Sequence, residues 1–449
     1  MKRIYIIISL LSVLFIQAIS GQMKKWTLED CIKYAVTNNI GLQRQKLITQ
    51  SRQTDLLASR MNLLPNLGAQ SQLQLADGRS IDQSNAIAFN KNLTNTVGVG
   101  SNIVLFNGFT ELNTIAANKF MLKAGLESEK IIRNSLVADI MAQYYQVLYD
   151  KGLEDASKMQ LDLSEKQLFR ITKMVETGKE ALAKQYEIES QFSADKLSFT
   201  IAHNTASQAV TTLKQMLQLE PGTEFDIETP DLKNTLITDI SFSTDSVYKL
   251  AAQNLPRLKE IEYELTASKK QIAAARGNLA PRLSANGQIG SYYYNVLNAA
   301  DGVTQNSYSR QINGNLSKQV LFTLNVPIFN NFSTYRNIKM AKLKKNDTEL
   351  KLELEKNNLY TDIENACLNY NRGKDEFAAA NSNFYFNTQS FAAVQKKFES
   401  GLVNVTDYSV AKTTLFRAET EALRTKLQLL IRKLTIQFYS TGEYENLMQ

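Results

Sequence analysis

The sequence predicts an α+β membrane protein built from two copies of one structural unit, each combining long helices with a pair of membrane-crossing β-strands. Three observations lead to this fold class. The N-terminus reads as an export signal, the rest of the chain repeats itself once, and within each repeat the spacing of apolar residues changes from about 3.6 to about 2.

The N-terminus has the features of a secretory signal peptide. Lys2 and Arg3 precede a mostly apolar run, Ile4 to Ile16, and small residues follow it. The run is too short for a stable membrane span, so we predict cleavage after Ser20 or Gly21 and a mature chain of about 430 residues. No later segment has the roughly 20 consecutive apolar residues of a transmembrane helix. An exported chain of this kind is periplasmic, secreted, or inserted in the outer membrane through β-strands.

Charge and cysteine content argue against several classes of protein. The 449 residues carry a formal net charge of +7, and two of the positive charges belong to the signal peptide. Basic residues alternate with acidic ones, as at Glu165 and Lys166, so the chain has no basic patch of the kind that binds nucleic acid. Cys31 and Cys367 do not correspond in the repeat. Although export would permit a disulfide, we predict two separate free thiols.

The repeat is visible at two fixed offsets. The first offset carries Ala35 onto Ala251, and it superposes Ala35, Asn38, Leu42, Arg60, Asn62, Leu63 and Pro65 on Ala251, Asn254, Leu258, Arg276, Asn278, Leu279 and Pro281. The second offset carries Phe106 onto Phe329, and it superposes Phe106, Asn107, Phe109, Asn134, Asp139, Lys151 and Gly178 on Phe329, Asn330, Phe332, Asn357, Asp362, Lys374 and Gly401. The change of offset falls between Leu67 and Phe106, where a loop can absorb it.

The repeat sets the predicted domain organisation. After the signal peptide, residues 1–21, the first repeat covers residues 22–218 and the second covers residues 244–440. Residues 219–243 form a linker that holds prolines and acidic residues and has little periodicity. Residues 441–449 form a C-terminal tail.

Each repeat is predicted to begin with a helix. Thr27 is a plausible N-cap for the first, which runs to about Asn62 before a Leu-Pro pair ends it. Its counterpart runs from about Thr244 to Asn278. Pro256 lies within that counterpart, and we expect it either in an early turn or at a kink.

Two strands of about ten residues follow each first helix. Apolar and polar residues alternate from Leu67, Val97, Leu283 and Val320, the weak pattern of transmembrane β-strands. The polar segments at about 77–92 and 295–310 are predicted to be exposed loops at the outer surface. Aromatic residues near the strand ends could form interfacial girdles. They are Phe106, Tyr292, Tyr293 and Tyr294.

A long helix and a shorter returning helix complete each repeat. The long helices are predicted over 109–177 and 332–400, and each would be about 100 Å long at 1.5 Å per residue. Gly178 and Gly401 follow them directly, in the position where glycine ends a helix. Each glycine therefore marks the tip of a helical hairpin.

This order of elements resembles the TolC-like outer-membrane factors, the outer membrane efflux protein family. The resemblance covers nearly the whole mature chain and rests on motifs at the joints between elements: Pro65-Asn66-Leu67, Pro281-Arg282-Leu283, Val326-Pro327-Ile328-Phe329-Asn330 and Gly401-Leu402-Val403-Asn404-Val405-Thr406-Asp407. It implies a homotrimer in the outer membrane with a large periplasmic portion. Four strands per protomer would close a twelve-stranded β-barrel, continued by a periplasmic α-helical barrel of coiled-coil hairpins.

The resemblance also implies a function. Such a protein is the exit duct of a tripartite efflux or type I secretion system, a passive conduit and not an enzyme, with no cofactor or metal. A periplasmic adaptor couples it to an inner-membrane transporter, and outer membrane lipid surrounds the barrel.

The same resemblance assigns roles to residues at the hairpin tips. Gly178, Gly401, Leu402 and Val403 match positions that contact the adaptor, and Asp407 matches an acidic ring that narrows the pore. The chain departs from the pattern in two places. Val403 stands where relatives have a basic latch residue, and Val410 stands where some have a second acid.

Simpler interpretations remain beside these. Gly178 and Gly401 could serve only as helix C-caps, and Asp407 could be an acid favoured by the dipole at the start of its own helix. His203 has no cluster of Cys, Asp or Glu residues near it in the sequence, so we interpret it as a structural surface residue and not as a metal ligand. The rival class of protein is a periplasmic coiled-coil scaffold or adaptor without a membrane span, which would not need four alternating strands.

Overall fold

A computed structural model describes residues 25–81, 87–229, 242–299 and 305–444. The predicted signal peptide lies outside the described residues, as do parts of the linker and of the tail. The chain divides into two compact units. The first contains residues up to Lys46, Ser128–Leu258 and the residues from Glu355 onward, and the second contains Leu47–Glu127 and Lys259–Leu354. Each unit takes segments from both halves of the chain, and the repeat boundaries stay a prediction.

The described elements follow the predicted order twice. In chain order they are α1 (Leu28–Asn38), α2 (Ile40–Met61), β1 (Asn66–Ile81), β2 (Ile87–Phe106), α3 (Thr110–Glu176), α4 (Leu182–Met216), α5 (Thr244–Asn254), α6 (Pro256–Gly277), β3 (Arg282–Val296), α7 (Tyr308–Gly314), β4 (Ser317–Asn325), α8 (Ser333–Glu399) and α9 (Val405–Thr441). Among the described residues, no helix is both long enough and apolar enough to cross a membrane.

The first predicted helix of each repeat is two helices, so the prediction of one continuous helix was wrong. The breaks fall at Asn39 (φ −62°, ψ 122°) and at Leu255 (φ −67°, ψ 127°), both in extended conformation. The Asn39 side chain accepts a hydrogen bond from the Leu42 N–H at 3.0 Å, so it caps the second helix. In the other repeat Pro256 is the first residue of α6, where its missing N–H costs nothing. Pro256 therefore marks a break in the predicted helix and lies in the first turn of α6.

The strands form one antiparallel sheet in the order β1-β2-β3-β4. β1 and β2 extend well into the predicted outer loop at 77–92, so that prediction was wrong. Asp77 lies opposite Lys91, and Arg79 lies opposite Phe89 with its guanidinium 5.4 Å from the ring centroid. Opposite charges and a cation–π contact across the strands favour continued pairing.

The segment after β3 contains a short helix in place of the predicted simple loop. β4 pairs with β3 only as far as Gly290, and side-chain amides cover the next part of that edge. Gln311 exchanges two hydrogen bonds of 3.0 Å with the N–H and C=O of Tyr294. Gln305 does the same with Val296, at 3.0 and 2.7 Å. The amides thus satisfy backbone groups that would otherwise be open for pairing with another strand.

The core of the first unit gathers the start of the mature chain against the long helices. Thr27 and Asp30 form the predicted N-terminal cap of α1 as a reciprocal capping box. Cys31 is fully buried in this core, and burial raises the pKa of its thiol to about 12. Cys31 and Cys367 are both free, as predicted. Other fully or nearly fully buried members are Ile32, Ala35, Val137, Ile140, Val147, Leu213, Leu217 and Ile227.

Candidate functional site

The tip of the first hairpin is a glycine-capped turn. α3 ends at Glu176, and Gly178 follows with a φ of +73°. The Gly178 N–H donates to the Val175 carbonyl at 2.9 Å, and the Lys179 N–H donates to the Met174 carbonyl at 2.8 Å. These two bonds define a Schellman motif, in which the left-handed residue is nearly always glycine.

The tip of the second hairpin has the same turn. Gly401 has a φ of +75°, its N–H donates to the Phe398 carbonyl at 3.0 Å, and the Leu402 N–H donates to the Lys397 carbonyl at 2.9 Å. A Cβ atom added to either tip glycine, 178 or 401, would meet nothing within 4 Å. Glycine is therefore required at both tips by backbone conformation and not by crowding.

The two tips differ where the return helix begins. Asn404 precedes α9, and its side-chain oxygen accepts a hydrogen bond from the Asp407 N–H at 2.8 Å. The matching residue of the first tip, Ala181, has no side-chain oxygen to cap α4. At the second offset of the repeat, Lys184 stands where the second tip has Asp407. The second tip therefore has a capped helix and an acid, whereas the first has an uncapped helix and a base.

An aromatic pair holds the second tip together. The rings of Phe398 and Tyr408 stack with centroids 4.4 Å apart, and Phe391 lies 5.7 Å from Tyr408. Burial raises the pKa of Tyr408 to about 12. The stacked rings join the end of α8 to the first turns of α9, and apolar residues of the first hairpin, among them Ile171 and Ile188, pack against them.

The predicted tip residues lie together at this turn. Gly401 and Leu402 are exposed, with Leu402 at 77%, and Val403 is half-buried. Asp407 is exposed on the first turn of α9, and Val410 is exposed one turn later. An exposed carboxylate in a first turn fits both hypotheses for Asp407, the pore ring and the helix-dipole acid.

A buried ion pair near the hairpin tips was not predicted from the sequence. Lys412 Nζ of α9 donates to Asp195 Oδ2 of α4 and to Ser164 Oγ of α3, both at 2.6 Å, and to the Gln160 carbonyl at 2.8 Å. The Lys412 and Asp195 side chains are each 5% exposed. Gln191 donates a further hydrogen bond to Asp195 Oδ1 at 2.9 Å. The pair therefore links the second hairpin to both helices of the first.

Burial dominates the electrostatics of this pair. It lowers the pKa of Lys412 from its ordinary value, and the hydrogen bond and charge of Asp195 partly offset the effect. A sequence pattern could not have found the pair, because its members lie far apart in the chain and both belong to helices rich in polar residues.

The sheet in the second unit has two faces of opposite character. One face carries large apolar side chains that are exposed in the isolated chain: Leu67, Leu73, Leu75, Val99, Ile289, Val320, Phe322 and Leu324. By the alternation along each strand and the register between strands, the other face carries mainly uncharged polar residues, with Arg282 at the start of β3. They include Asn66, Gln70, Gln72, Gln74, Asn102, Asn286, Gln288 and Gln319.

The alternation also separates the three tyrosines of the predicted aromatic girdle. Tyr292 and Tyr294 share the polar face, where Leu321 also lies, and Tyr293 lies on the apolar face. A girdle made of all three on one face is therefore ruled out. Tyr293 instead packs with Tyr308, with ring centroids 5.0 Å apart.

The described part of the chain offers little to a metal ion. The described residues contain no cluster of three or more His, Cys, Asp or Glu side chains able to hold one. His203 lies at the surface with its Nδ1 2.7 Å from Glu154 Oε1, as expected for a structural residue.

Comparison with known proteins points to one family. Residues 247–441 match the family described as Outer membrane efflux protein. No curated protein matches the sequence. The fold is similar to that of the Campylobacter jejuni CmeC outer membrane channel, at a TM-score of 0.77 and 13% identity over 94% of this chain and 88% of that one. It is also similar to the open state of the Neisseria gonorrhoeae MtrE outer membrane channel, at 0.75 and 18% identity over 93% and 89%.

A third solved structure extends the same likeness. The outer membrane protein VceC of Vibrio cholerae has a TM-score of 0.75 at 12% identity, over 93% of this chain and 96% of that one. The resemblance inferred from the sequence is thus confirmed: residues 247–441 match the outer membrane efflux protein family, and the chain has the fold of outer-membrane channels along nearly its whole length.

Proposed function

We propose that this protein is the outer-membrane exit duct of a tripartite efflux or type I secretion system, a passive conduit and not an enzyme. The observation that carries the proposal is the two-faced sheet in a chain with an outer membrane efflux protein domain. An exposed apolar face as large as this one needs a covering, and the opposite face of neutral amides and hydroxyls suits a water-filled passage.

Lipid covers the apolar face in the proposed duct. β1 and β4 are the two edges of the sheet, and their open backbone groups would be unsatisfied in a membrane. Three copies joined edge to edge would pair every edge strand and close a twelve-stranded barrel. The proposal therefore includes a homotrimer.

The hairpin tips are the proposed docking site for a periplasmic adaptor that couples the duct to an inner-membrane transporter. Gly178, Gly401, Leu402 and Val403 form the proposed contacts, since they lie at or beside turns whose outer sides are open. Three copies of Asp407 around one axis form the proposed acidic ring. Like charges in a narrow throat attract cations and repel anions.

A matched pair of arginine substitutions tests the duct against the rival scaffold. Leu73 and Gln72 are adjacent, both exposed, and lie on opposite faces of β1. Leu73→Arg places a charge against lipid, at a cost of about 2–4 kcal/mol near the bilayer midplane, whereas Gln72→Arg places it in the passage. We expect Leu73→Arg to reduce outer-membrane insertion of the trimer and Gln72→Arg to leave it intact.

A scaffold would tolerate both substitutions, because both positions would face water. Fractionation of cells and chemical cross-linking of the detergent extract read out the result. A monomer in the soluble periplasm, or equal insertion of the two variants, contradicts the proposal.

A further inference from the structure

We propose that the polar face of the sheet carries a binding site for neutral oligosaccharides, formed by side-chain amides around a floor of glycine. The site lies entirely within the second compact unit, so a single chain supplies it. The inference rests on the proposed function, which makes this face the wall of a water-filled passage that a sugar can enter. It adds that the wall binds one class of molecule during its passage.

A cavity of about 340 Å³ lies on the polar face, across β1, β2 and β3. This volume is at the lower end of the range for small-molecule sites. The amide side chains that line the cavity come from all three strands: Asn66, Gln70, Asn102, Asn286 and Gln288. Most such sites are lined mainly by apolar side chains, whereas the described residues around this cavity include no charged side chain and no large apolar one. The lining therefore suits a ligand that is neutral and rich in hydrogen-bonding groups.

Two glycines at the floor of the cavity are not required by the backbone. Gly68 and Gly100 lie opposite each other in the register of β1 and β2, and neither has a positive φ. A Cβ on Gly68 would meet nothing within 4 Å, and one on Gly100 would meet only the Gly287 carbonyl oxygen at 3.8 Å. Glycine in a strand interior costs stability, and it often marks a place where another molecule approaches the backbone. The glycine floor thus indicates space kept open for a ligand.

The other repeat shows that side chains fit at the same two positions. The first offset carries Gly68 to Ser284, and the second offset carries Gly100 to Thr323. Ser284 and Thr323 also lie opposite each other, in β3 and β4 of the same sheet. The equivalent pair thus holds hydroxyl side chains in one repeat and no side chains in the other. The open floor is a feature of the first repeat and not a requirement of the repeated unit.

The amides around the floor match the chemistry of sugar hydroxyls. Each asparagine or glutamine amide offers two donors and an acceptor in one plane, and a hydroxyl both donates and accepts. Gln70, Asn286 and Gln288 are exposed, so their amides are accessible to a ligand. In the register of the sheet Gln288 lies opposite Gly100, and Asn286 precedes Gln288 on the same face. Amides therefore lie on several sides of the glycine floor.

An aromatic ring lies further along the same face. Tyr292 of β3 is 52% exposed. In the register of the sheet it is level with Gln72, one step of about 7 Å along the face beyond Gln70. The apolar C–H face of a sugar ring packs well on an aromatic ring. A ligand of two or three sugar units can therefore occupy the glycine floor and contact the tyrosine at the same time.

An extended peptide is the alternative neutral ligand, and the position of the cavity argues against it. A peptide binds a sheet chiefly by adding a strand at an open edge, where its backbone is paired. β2 lies in the middle of the cavity and is already paired with β1 on one side and β3 on the other. Binding at this place therefore falls to the side-chain amides, which suit hydroxyl groups.

Titration of the detergent-extracted protein measures binding without any need for conduction. Maltotriose, cellotriose and tri-N-acetylchitotriose are the neutral sugar probes, and N-acetyl-trialanine amide is the peptide probe. We expect calorimetric binding of at least one sugar and none of the peptide. Gly100→Val should weaken sugar binding about tenfold or more, because the new side chain fills the floor. Gln288→Leu and Tyr292→Leu should each weaken it about 3–10-fold, through lost hydrogen bonds and a lost stacking surface.

The chain offers a matched control and a check on folding. Ala76→Val adds bulk to the same face of β1 beyond the cavity, and it should leave sugar binding unchanged. Valine is favoured in strands, so Gly100→Val should unfold at the same temperature as the unmodified protein or at a higher one. Weaker binding in Gly100→Val then reports the filled floor and not a damaged sheet.

The outcomes separate this inference from the proposed function. If no sugar binds, or if Gly100→Val, Gln288→Leu and Ala76→Val bind sugar equally well, the inference is wrong, while ion conduction in planar bilayers would show that the duct still stands. Peptide binding with the same dependence on these variants would identify a peptide site and overturn the sugar site. Sugar binding in the expected order by a protein that does not conduct would support the site and overturn the duct.

Discussion

The two hairpin tips share one turn and differ in almost everything that follows it. Both use a glycine with φ near +75° and the same pair of backbone hydrogen bonds. Only the second tip then caps its return helix, through Asn404, and stacks Tyr408 on the preceding helix. A local backbone requirement thus fixes the hairpin turn. The groups around the turn are free to diverge, and the second tip is the more firmly organised of the two.

The buried pair of Lys412 and Asp195 is where the two hairpins depend on each other. A buried ion pair contributes little net stability compared with apolar residues of the same size, but breaking one half of it leaves an unpaired buried charge. Its position joins α9 of the second hairpin to α3 and α4 of the first. Substitutions at this pair and at the two tips therefore separate what each hairpin does alone from what the two do together.

The largest loss of stability is expected from substitutions at the buried pair of Lys412 and Asp195. Lys412→Met should destabilise the packing of the hairpins by about 3–5 kcal/mol, because Asp195 stays buried without its partner. The double substitution Lys412→Met with Asp195→Leu should recover most of that loss. Thermal unfolding of the detergent-extracted protein measures both, and Lys184→Met on the half-buried lysine of the first tip is the control. Equal loss in the single and double variants would show that the pair is not the cause.

The next largest loss of stability is expected from substitutions at the two tip glycines. Gly178→Val and Gly401→Val should each cost about 1–2 kcal/mol, because both positions need a left-handed conformation and neither is crowded. Asparagine tolerates this conformation, so Gly401→Asn should be milder. If the second tip docks the adaptor, Gly401→Val should impair export and adaptor cross-linking while the trimer still inserts. Normal export and cross-linking in that variant would contradict the docking role.

Smaller changes in stability, of opposite sign at the two tips, are expected at the first residues of the return helices α9 and α4. Asn404→Ala should cost about 1 kcal/mol by removing the cap of α9, and Ala181→Asn should stabilise the start of α4 if it recreates that cap. Hydrogen exchange of the first-turn amides measures the change at each tip separately. Faster exchange in α9 together with slower exchange in α4 is the expected result. Unchanged exchange in both would mean that neighbouring contacts, not the caps, hold these turns.

The smallest effect on stability, and the sharpest on function, is expected at Asp407. Asp407→Asn should leave the trimer intact and, in planar bilayers, reduce cation selectivity and block by multivalent cations, because the acidic ring would lose its charge. Lys184→Gln at the matching position of the first tip is the paired control. Selectivity and block equal to those of the unmodified protein would identify Asp407 as an acid that serves only its own helix end.

Features that depend on neighbouring residues could be predicted from the sequence alone. Glycine after a 67-residue helix ended it at both tips, alternation marked all four strands, and the two offsets paired the repeats. The N-cap predicted at Thr27 is local as well, because Thr27 and its partner Asp30 are close together in the chain. These features follow from backbone conformation and local hydrogen bonding, which a short stretch of sequence encodes.

Features that depend on residues far apart in the chain needed the three-dimensional structure. The extension of β1 and β2 through Asp77 and Lys91 required the register of the sheet. The pairing of Lys412 with Asp195 required two hairpins to pack. The second offset of the repeat superposes Ala117 on Met340, but only the structure shows that Ala117 is buried and Met340 is exposed. Periodicity shows that a face is apolar, but the partner that covers it is set by the fold.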